Sequence, residues 1–533
     1  VWHKISSKLS DLGSFCSAVF LEDEGMRRKN SLSLAGALKR LTGVALVLAV
    51  GVVAGYPDAD DTSVKVKGVE LKGVNGSLNN RASAFGRYEF IAPYAPSISA
   101  DEDHEFDLSE LDNNVVYLID SKKPDKDPIR LPLGNCYFPT RITYDEARGY
   151  LFVRGTEYRI EEDSEIEREV VARLRVSLDD DGKPYMLEQP VSIAVTDDDV
   201  DSVTPSSYEM FPAHEGELLI LNDGYSIYSN NVIDGAKYPV RFGNRITYLD
   251  YDETSHTIVA GFTRREESEE GEVSYSTELF FYRLNRSGIV DLIRRVPREN
   301  FPAGAALMEG STVALSVNPE NQKPDFGFFI GSDGSLCQVD LRDEAGLDIT
   351  RGTVDVMATV PELAVGEAEA ISGREISFDR SKRMLYVVKK GVEWDIRRPS
   401  FARKGRPGRI RRPSFVRKSE SPAIVVIQLN KRNKVVAIRV MAEEFIGKEG
   451  LSNLVFESAS EGFIVAQTGE LYSLRSENIN DIQLTAVGNF GLHVDRISKG
   501  LSPLSFIGVS SFQPGGENSL EAAGALLFAK VKQ

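Results

Sequence analysis

The feature that most constrains this chain is a strand motif that returns at wide intervals. Its clearest copies are Ile142-Thr143-Tyr144-Asp145-Glu146 before Tyr150-Leu151-Phe152-Val153, Ile246-Thr247-Tyr248 with Tyr251-Asp252-Glu253 before Thr257-Ile258-Val259, and Ile376-Ser377-Phe378-Asp379-Arg380 before Met384-Leu385-Tyr386-Val387-Val388. In each, an aromatic-Asp pair ends one strand and a short polar turn leads to an apolar one. Aspartate accepts hydrogen bonds from the amides of such a turn, and β-branched and aromatic residues suit a buried central strand. Asp145, Asp252 and Asp379 stand 107 and 127 residues apart. Setting aside an insertion at 392–418 brings the second interval to 100. A spacing near 100 reads as two units of about 50 with a degenerate copy between. Such copies are present at Leu218-Leu219-Ile220-Leu221, Thr312-Val313-Ala314-Leu315, Gly462-Phe463-Ile464-Val465 and Phe506-Ile507-Gly508-Val509.

Helical periodicity is scarce across 86–533, and units of 40–60 residues with about four strands each are the mark of a β-propeller. The expected fold is therefore all-β: a propeller of about seven blades over 86–533, behind a hydrophobic N-terminal segment. Blades are expected near 138–196, 205–242, 245–297, 303–359, 374–442 and 451–488. A composite seventh would join strands from 86–133 with strands from 496–533, leaving no sheet edge exposed. The last strand, Ala525 to Val531, then belongs to the ring. A pair of β-sandwiches is the alternative. The Asp-containing turn before a Leu-Tyr-Val-type strand resembles the lactonase-like and quinoprotein-like propellers. The likeness spans about 400 residues, implies the architecture and carries no activity with it.

Residues 41–56 read LTGVALVLAVGVVAGY, without a charge. Arg27, Arg28, Lys29, Lys39 and Arg40 precede them, and Val53-Ala54-Gly55 suits cleavage near Gly55. Sixteen helical residues reach about 24 Å, short of the ~30 Å hydrocarbon core. The segment is expected to be a signal peptide or a signal-anchor, behind a basic segment at 1–40 and ahead of a linker at 57–85. Met26 is the first methionine, so 1–25 stand outside this scheme if synthesis starts there. Either form places the large domain outside the cytoplasm, secreted or membrane-anchored. The net charge of −17 argues against specific nucleic-acid binding, which needs a basic face. Of three cysteines, Cys136 and Cys337 fall in the ring; they are expected as two isolated buried thiols rather than a bridge.

Signals for chemistry are sparse. No Gly-x-Ser-x-Gly elbow, dinucleotide fingerprint or P-loop occurs. The five histidines (His3, His104, His214, His256, His493) show no ligand spacing. Asp197-Asp198-Asp199-Val200-Asp201 begins like a calcium loop but has Ser202 and Tyr208 where glycine and glutamate are needed. Asp179-Asp180-Asp181-Gly182 reads as a hairpin turn. Catalytic residues and cofactor therefore stay unassigned, and no metal site is expected. Asn75 and Asn285 head sequons and are candidate glycosylation sites.

One stretch is unlike its surroundings. Arg397-Arg398-Pro399-Ser400-Phe401 returns as Arg411-Arg412-Pro413-Ser414-Phe415, and 397–418 hold ten bases and no acid. The expectation is a disordered insertion, 392–418, between two strands of one blade. Its candidate polyanion contacts are Arg397, Arg398, Arg403, Lys404, Arg406, Arg409, Arg411, Arg412, Arg417 and Lys418. Arg-Arg-Pro-Ser also resembles a basophilic-kinase target at Ser400 and Ser414. Arg409-Ile410-Arg411-Arg412 resembles a convertase site, spoiled by Pro413. The expected function is an extracytoplasmic binding scaffold for a protein or glycan partner. The alternative is a lactonase-like or sugar-hydrolysing enzyme with its site at the channel mouth.

Overall fold

The computed structural model describes residues 64–531 apart from short segments, the longest of them 96–104, 195–208, 365–372 and 397–408. Residues 1–63, with the apolar run 41–56, and likewise Asn75 and Asp197 to Asp201 lie outside the described residues. Eight antiparallel sheets follow one another along the chain, seven of four strands and one of five. They span 77–132, 136–194, 210–241, 248–296, 314–359, 374–441, 455–489 and 496–531. We call them blades 1 to 8, and the strands of each A to D outward from the axis. Blade 8 takes its D strand from the start of the described chain: Val64–Glu70 pairs antiparallel with Ser519–Val531, Val64 opposite Val531 and Glu70 opposite Ala525.

Burial explains why these residues form these strands. The B and C strands carry apolar side chains on both faces because each face meets a neighbouring blade. Leu218–Asn222 and Met384–Lys389 are buried at every position. D strands lie at the rim, and Lys237–Arg241 alternates exposed and half-buried residues. An apolar cluster occupies every junction. Phe90 and Leu118 meet Ile142 and Leu151 between blades 1 and 2, and Phe152 meets Met210 and Leu219 between 2 and 3. Equivalent clusters follow round the ring. The circle closes where Ile507, Val509 and Leu526 of blade 8 pack on Ile91 and Ile119 of blade 1.

Four expectations are corrected. The ring has eight blades rather than seven. The expected composite blade is two: 77–132 is blade 1 on its own, and the strand that closes blade 8 is Val64–Glu70. The expected linker 57–85 thus includes that strand and Ser77–Ala84, the A strand of blade 1. The alternation of valine and lysine in VKVKGVE suits a strand, but its partner lies more than 450 residues away and is gained only once the ring is formed. The insertion is also partly ordered. Val392–Ile396 pairs with Phe415–Ser419, and Arg409–Arg411 pairs with Glu105–Asp107.

Candidate functional site

The A strands stand nearest the axis, so their polar groups meet anything that enters the channel. Arg141 of blade 2 forms an ion pair with Glu209, just ahead of the A strand of blade 3. In blade 4 the Tyr248 hydroxyl lies 3.1 Å from Asp250 Oδ2, and the Tyr251 amide donates to Asp250 Oδ1 at 2.8 Å. The same hydroxyl accepts the Val313 amide of blade 5 at 2.9 Å, tying two blades together. Burial pushes the Asp250 carboxyl up to about 6; the hydrogen bonds from Tyr251 and Tyr248 oppose this, while the charges of Glu209 and Asp252 add to it. Burial, then the Asp250 charge, holds the Tyr248 phenol well above its ordinary range.

A cavity of about 190 Å³ opens here, bounded by Asp250, Asp252, Val313, Leu315, Ser377 and Phe378 from blades 4, 5 and 6. That is below the ~300–1,000 Å³ of ordinary small-molecule pockets. A carboxyl ionising near neutral pH in such a place can hold a proton, release it, or attract a cation. A larger cavity of about 570 Å³ lies toward the rim between blades 4 and 5, lined by Asp291, Arg294, Lys323, Asp325 and Arg342 among others. Arg294 is itself committed, donating to the carbonyls of Asp340, Arg342 and Asp348 at 3.1, 3.1 and 3.2 Å.

The motif aspartates build turns. Asp145 Oδ1 accepts the Ala147 amide at 3.0 Å, Asp252 Oδ2 the Ser255 amide at 2.7 Å, and Asp379 Oδ1 the Lys382 amide at 3.2 Å. All three close A–B turns of even-numbered blades. The A–B turns of blades 3 and 4 bring together two histidines that the sequence keeps far apart. The His214 and His256 rings lie 4.0 Å apart, His214 Nε2 meets the Leu284 carbonyl at 3.1 Å, and the Tyr251 hydroxyl meets His256 Nδ1 at 2.8 Å. Burial, then the His214 ring, lowers the His256 pKa. Among the described residues, no group of three or more His, Cys, Asp or Glu is placed to hold a metal ion. Cys136 and Cys337 are free and buried, and burial pushes both thiols up to about 12.

At the other end of the sheets, the B–C connections differ by blade. They are tight in blades 3, 5 and 7, where Asn222, Ile330 and Val465 end B strands and Ser226, Ser335 and Glu470 begin C strands. In blade 2 the B and C strands run on as Tyr150–Glu161 and Ser164–Leu178. In blade 4 they are Thr257–Glu267 and Val273–Leu284, and in blade 8 Ser505–Gly516 and Ser519–Val531. Blade 6 carries the basic insertion at the same point. An antiparallel meander puts every B–C connection at the same end, so the hairpins of blades 2, 4, 6 and 8 rise on one face, where blade 1 also has a long connection between Ala95 and Val115.

The candidate basic residues divide. Arg409 and Arg411 sit on the strand that meets Glu105–Asp107, and Arg417 and Lys418 on the stem strand Phe415–Ser419. Arg397, Arg398, Arg403, Lys404, Arg406 and Arg412 lie outside the described residues, as do His3, His104 and His493. Asn285 stands in the C–D turn of blade 4, its Oδ1 accepting the Ile289 amide at 3.0 Å and the Ser287 hydroxyl at 2.7 Å. Asp179 closes a hairpin turn as expected, its Oδ1 accepting the amides of Asp181 and Lys183. The sequence reading missed the Asp250–Tyr248 pair and the two facing histidines. The pair stands at i and i+2 on one A strand, a spacing that shares a face, and this was the available signal; nothing local links His214 to His256.

No protein-family model and no curated protein matches the sequence. Several solved structures are similar in arrangement. Sqt1 from Chaetomium thermophilum is 9% identical, with 87% of this chain and 99% of that one covered and a TM-score of 0.48. A protein from Lactobacillus plantarum is 10% identical over 75% and 94%, with a TM-score of 0.33. A functionally unknown protein from Desulfotomaculum acetoxidans is 8% identical over 70% and 94%, at 0.35. This chain is a β-propeller. The deciding observation is its own topology, eight sheets in sequence with the first described strand closing the last.

Proposed function

We propose that this propeller is a binding scaffold whose protein partner docks on the face where the long B–C hairpins rise. The observation that carries the reading is their placement: blades 2, 4, 6 and 8 extend at the same end, and blades 3, 5 and 7 turn tightly. Long hairpins contribute little to a ring already closed by its junction clusters, whereas they add contact surface. Replacing 264–276 of blade 4 with a two-residue turn should leave the melting temperature within a few degrees. Proteins retained by the immobilised parent should then be lost from the variant. Retention unchanged after trimming the hairpins of blades 2, 4 and 8 would remove this reading. We further propose that the scaffold works outside the cytoplasm, behind the apolar run 41–56; fractionation of cells expressing the tagged full chain tests this.

A second reading rests on Asp250. A carboxyl ionising near pH 6 beside a channel cavity suits acid–base chemistry, and thus a lactonase-like or sugar-hydrolysing enzyme. Turnover of a lactone or glycoside panel that disappears in Asp250→Asn would favour it. Equal turnover by both chains would exclude this site.

A further inference from the structure

The two most oppositely charged stretches of the chain each supply one strand of a two-stranded sheet. Residues 101–112 hold seven acids and no Lys or Arg, and 397–418 hold ten bases and no acid. They belong to the B–C connections of blades 1 and 6, which are not neighbours. Even so, Glu105–Asp107 pairs antiparallel with Arg409–Arg411, with Asp107 opposite Arg409, Phe106 opposite Ile410 and Glu105 opposite Arg411. The register sets acid against base at both ends and apolar against apolar in the middle. Shifting it by one residue would put Arg409 or Arg411 opposite Phe106.

We propose that the strand Arg409–Arg411 is a strand-addition site for an extended acidic peptide of the pattern acid–apolar–acid, and that Glu105–Asp107 is its occupant in cis. Strand addition draws its affinity from main-chain hydrogen bonds and its specificity from alternate side chains. Both ingredients are written in this register. The stem Val392–Ile396 with Phe415–Ser419 roots the basic strand on blade 6, next to the hairpin face. The ladder is three residues long, so the internal strand is a weak competitor. A partner segment of the same pattern therefore displaces Glu105–Asp107 by mass action. This deepens the scaffold reading by naming the chemistry of one partner segment, but it stands apart from the hairpins of blades 2, 4 and 8.

The test uses the full chain and a labelled peptide copying residues 99–109. Phe106→Pro places in the middle of the three-residue strand a residue that disfavours sheet pairing, and so frees the site. The peptide should bind this chain at least about tenfold more tightly than the parent. Adding Arg409→Glu and Arg411→Glu should abolish that binding. Separately, Phe106→Cys with Ile410→Cys should form a disulfide under mild oxidation, reporting the contact in cis. Equal or undetectable binding to parent and Phe106→Pro would overturn the proposal, as would failure of the cysteine pair to join. Binding of a scrambled peptide, or of heparin, as tightly as the ordered peptide would reduce the site to plain charge attraction and overturn it too. Trimming the other hairpins leaves the peptide result unchanged, so its failure and that of the scaffold reading are separable.

Discussion

A guanidinium with no exposed surface needs acceptors for its N–H groups, and Arg154 finds them in two blades. It donates to both carboxylate oxygens of Glu169 at 2.8 Å, to the Glu209 carbonyl at 2.7 Å and to Asn222 Oδ1 at 3.0 Å. The network lies where blades 2 and 3 share a small apolar cluster, so polar bonds supplement burial there. Glu169→Ala strands a buried cation and should cost about 3–5 kcal/mol in denaturant unfolding. Replacing both partners, Arg154→Met with Glu169→Leu, should cost less. A single variant as stable as the parent would show that the pair holds nothing. Asp250 behaves in the opposite sense. Its folded pKa, about 6, lies above the unfolded value, so its contribution is complete below about pH 4 and fades as pH rises through 6. The parent should lose on the order of 1–3 kcal/mol across that window, and Asp250→Asn should flatten the profile. An unchanged slope would place the titrating group elsewhere. His256 has a lowered pKa and acts the other way, favouring the folded state less as pH falls below its unfolded range.

Strands and turns were the most legible level. The aromatic-Asp motif located the A–B turns of blades 2, 4 and 6, and their aspartates accept turn amides as the residue types require. Glycine has a specific part at the A–B turn of blade 3, which abuts the first of these. Gly216 has φ of +76°, and a Cβ there would come within 2.3 Å of Asp145 Oδ2 from blade 2. The neighbouring blade can pack so closely only against a bare backbone. The three clear copies fall on even blades, and so do the long hairpins, although blade 1 also has a long B–C connection, between Ala95 and Val115. The spacing of about 100 residues already set the clear copies two blades apart. The basic insertion was legible by composition, but its pairing was not. A run of arginines, prolines and glycines has no strand pattern, and Arg409–Arg411 becomes a strand only beside Glu105–Asp107.

Across the whole molecule, closure depends on seven residues remote from their sheet in sequence. A chain beginning at residue 72 lacks Val64–Glu70 and leaves the edge of Ser519–Val531 bare. Exposed edges template association, so this chain should form oligomers or aggregate in size-exclusion chromatography and unfold at a lower temperature. A monodisperse product with the parent's melting temperature would show that the ring does not need the strand. The sequence by itself determined the strand composition and the turn chemistry, because those depend on residues within a few positions of one another. Only the tertiary structure decided that there are eight blades, which strand closes the ring, and that His214 faces His256 and Glu105–Asp107 meets Arg409–Arg411. Each of those contacts joins distant residues, and its free energy exists only after the intervening sheets have packed.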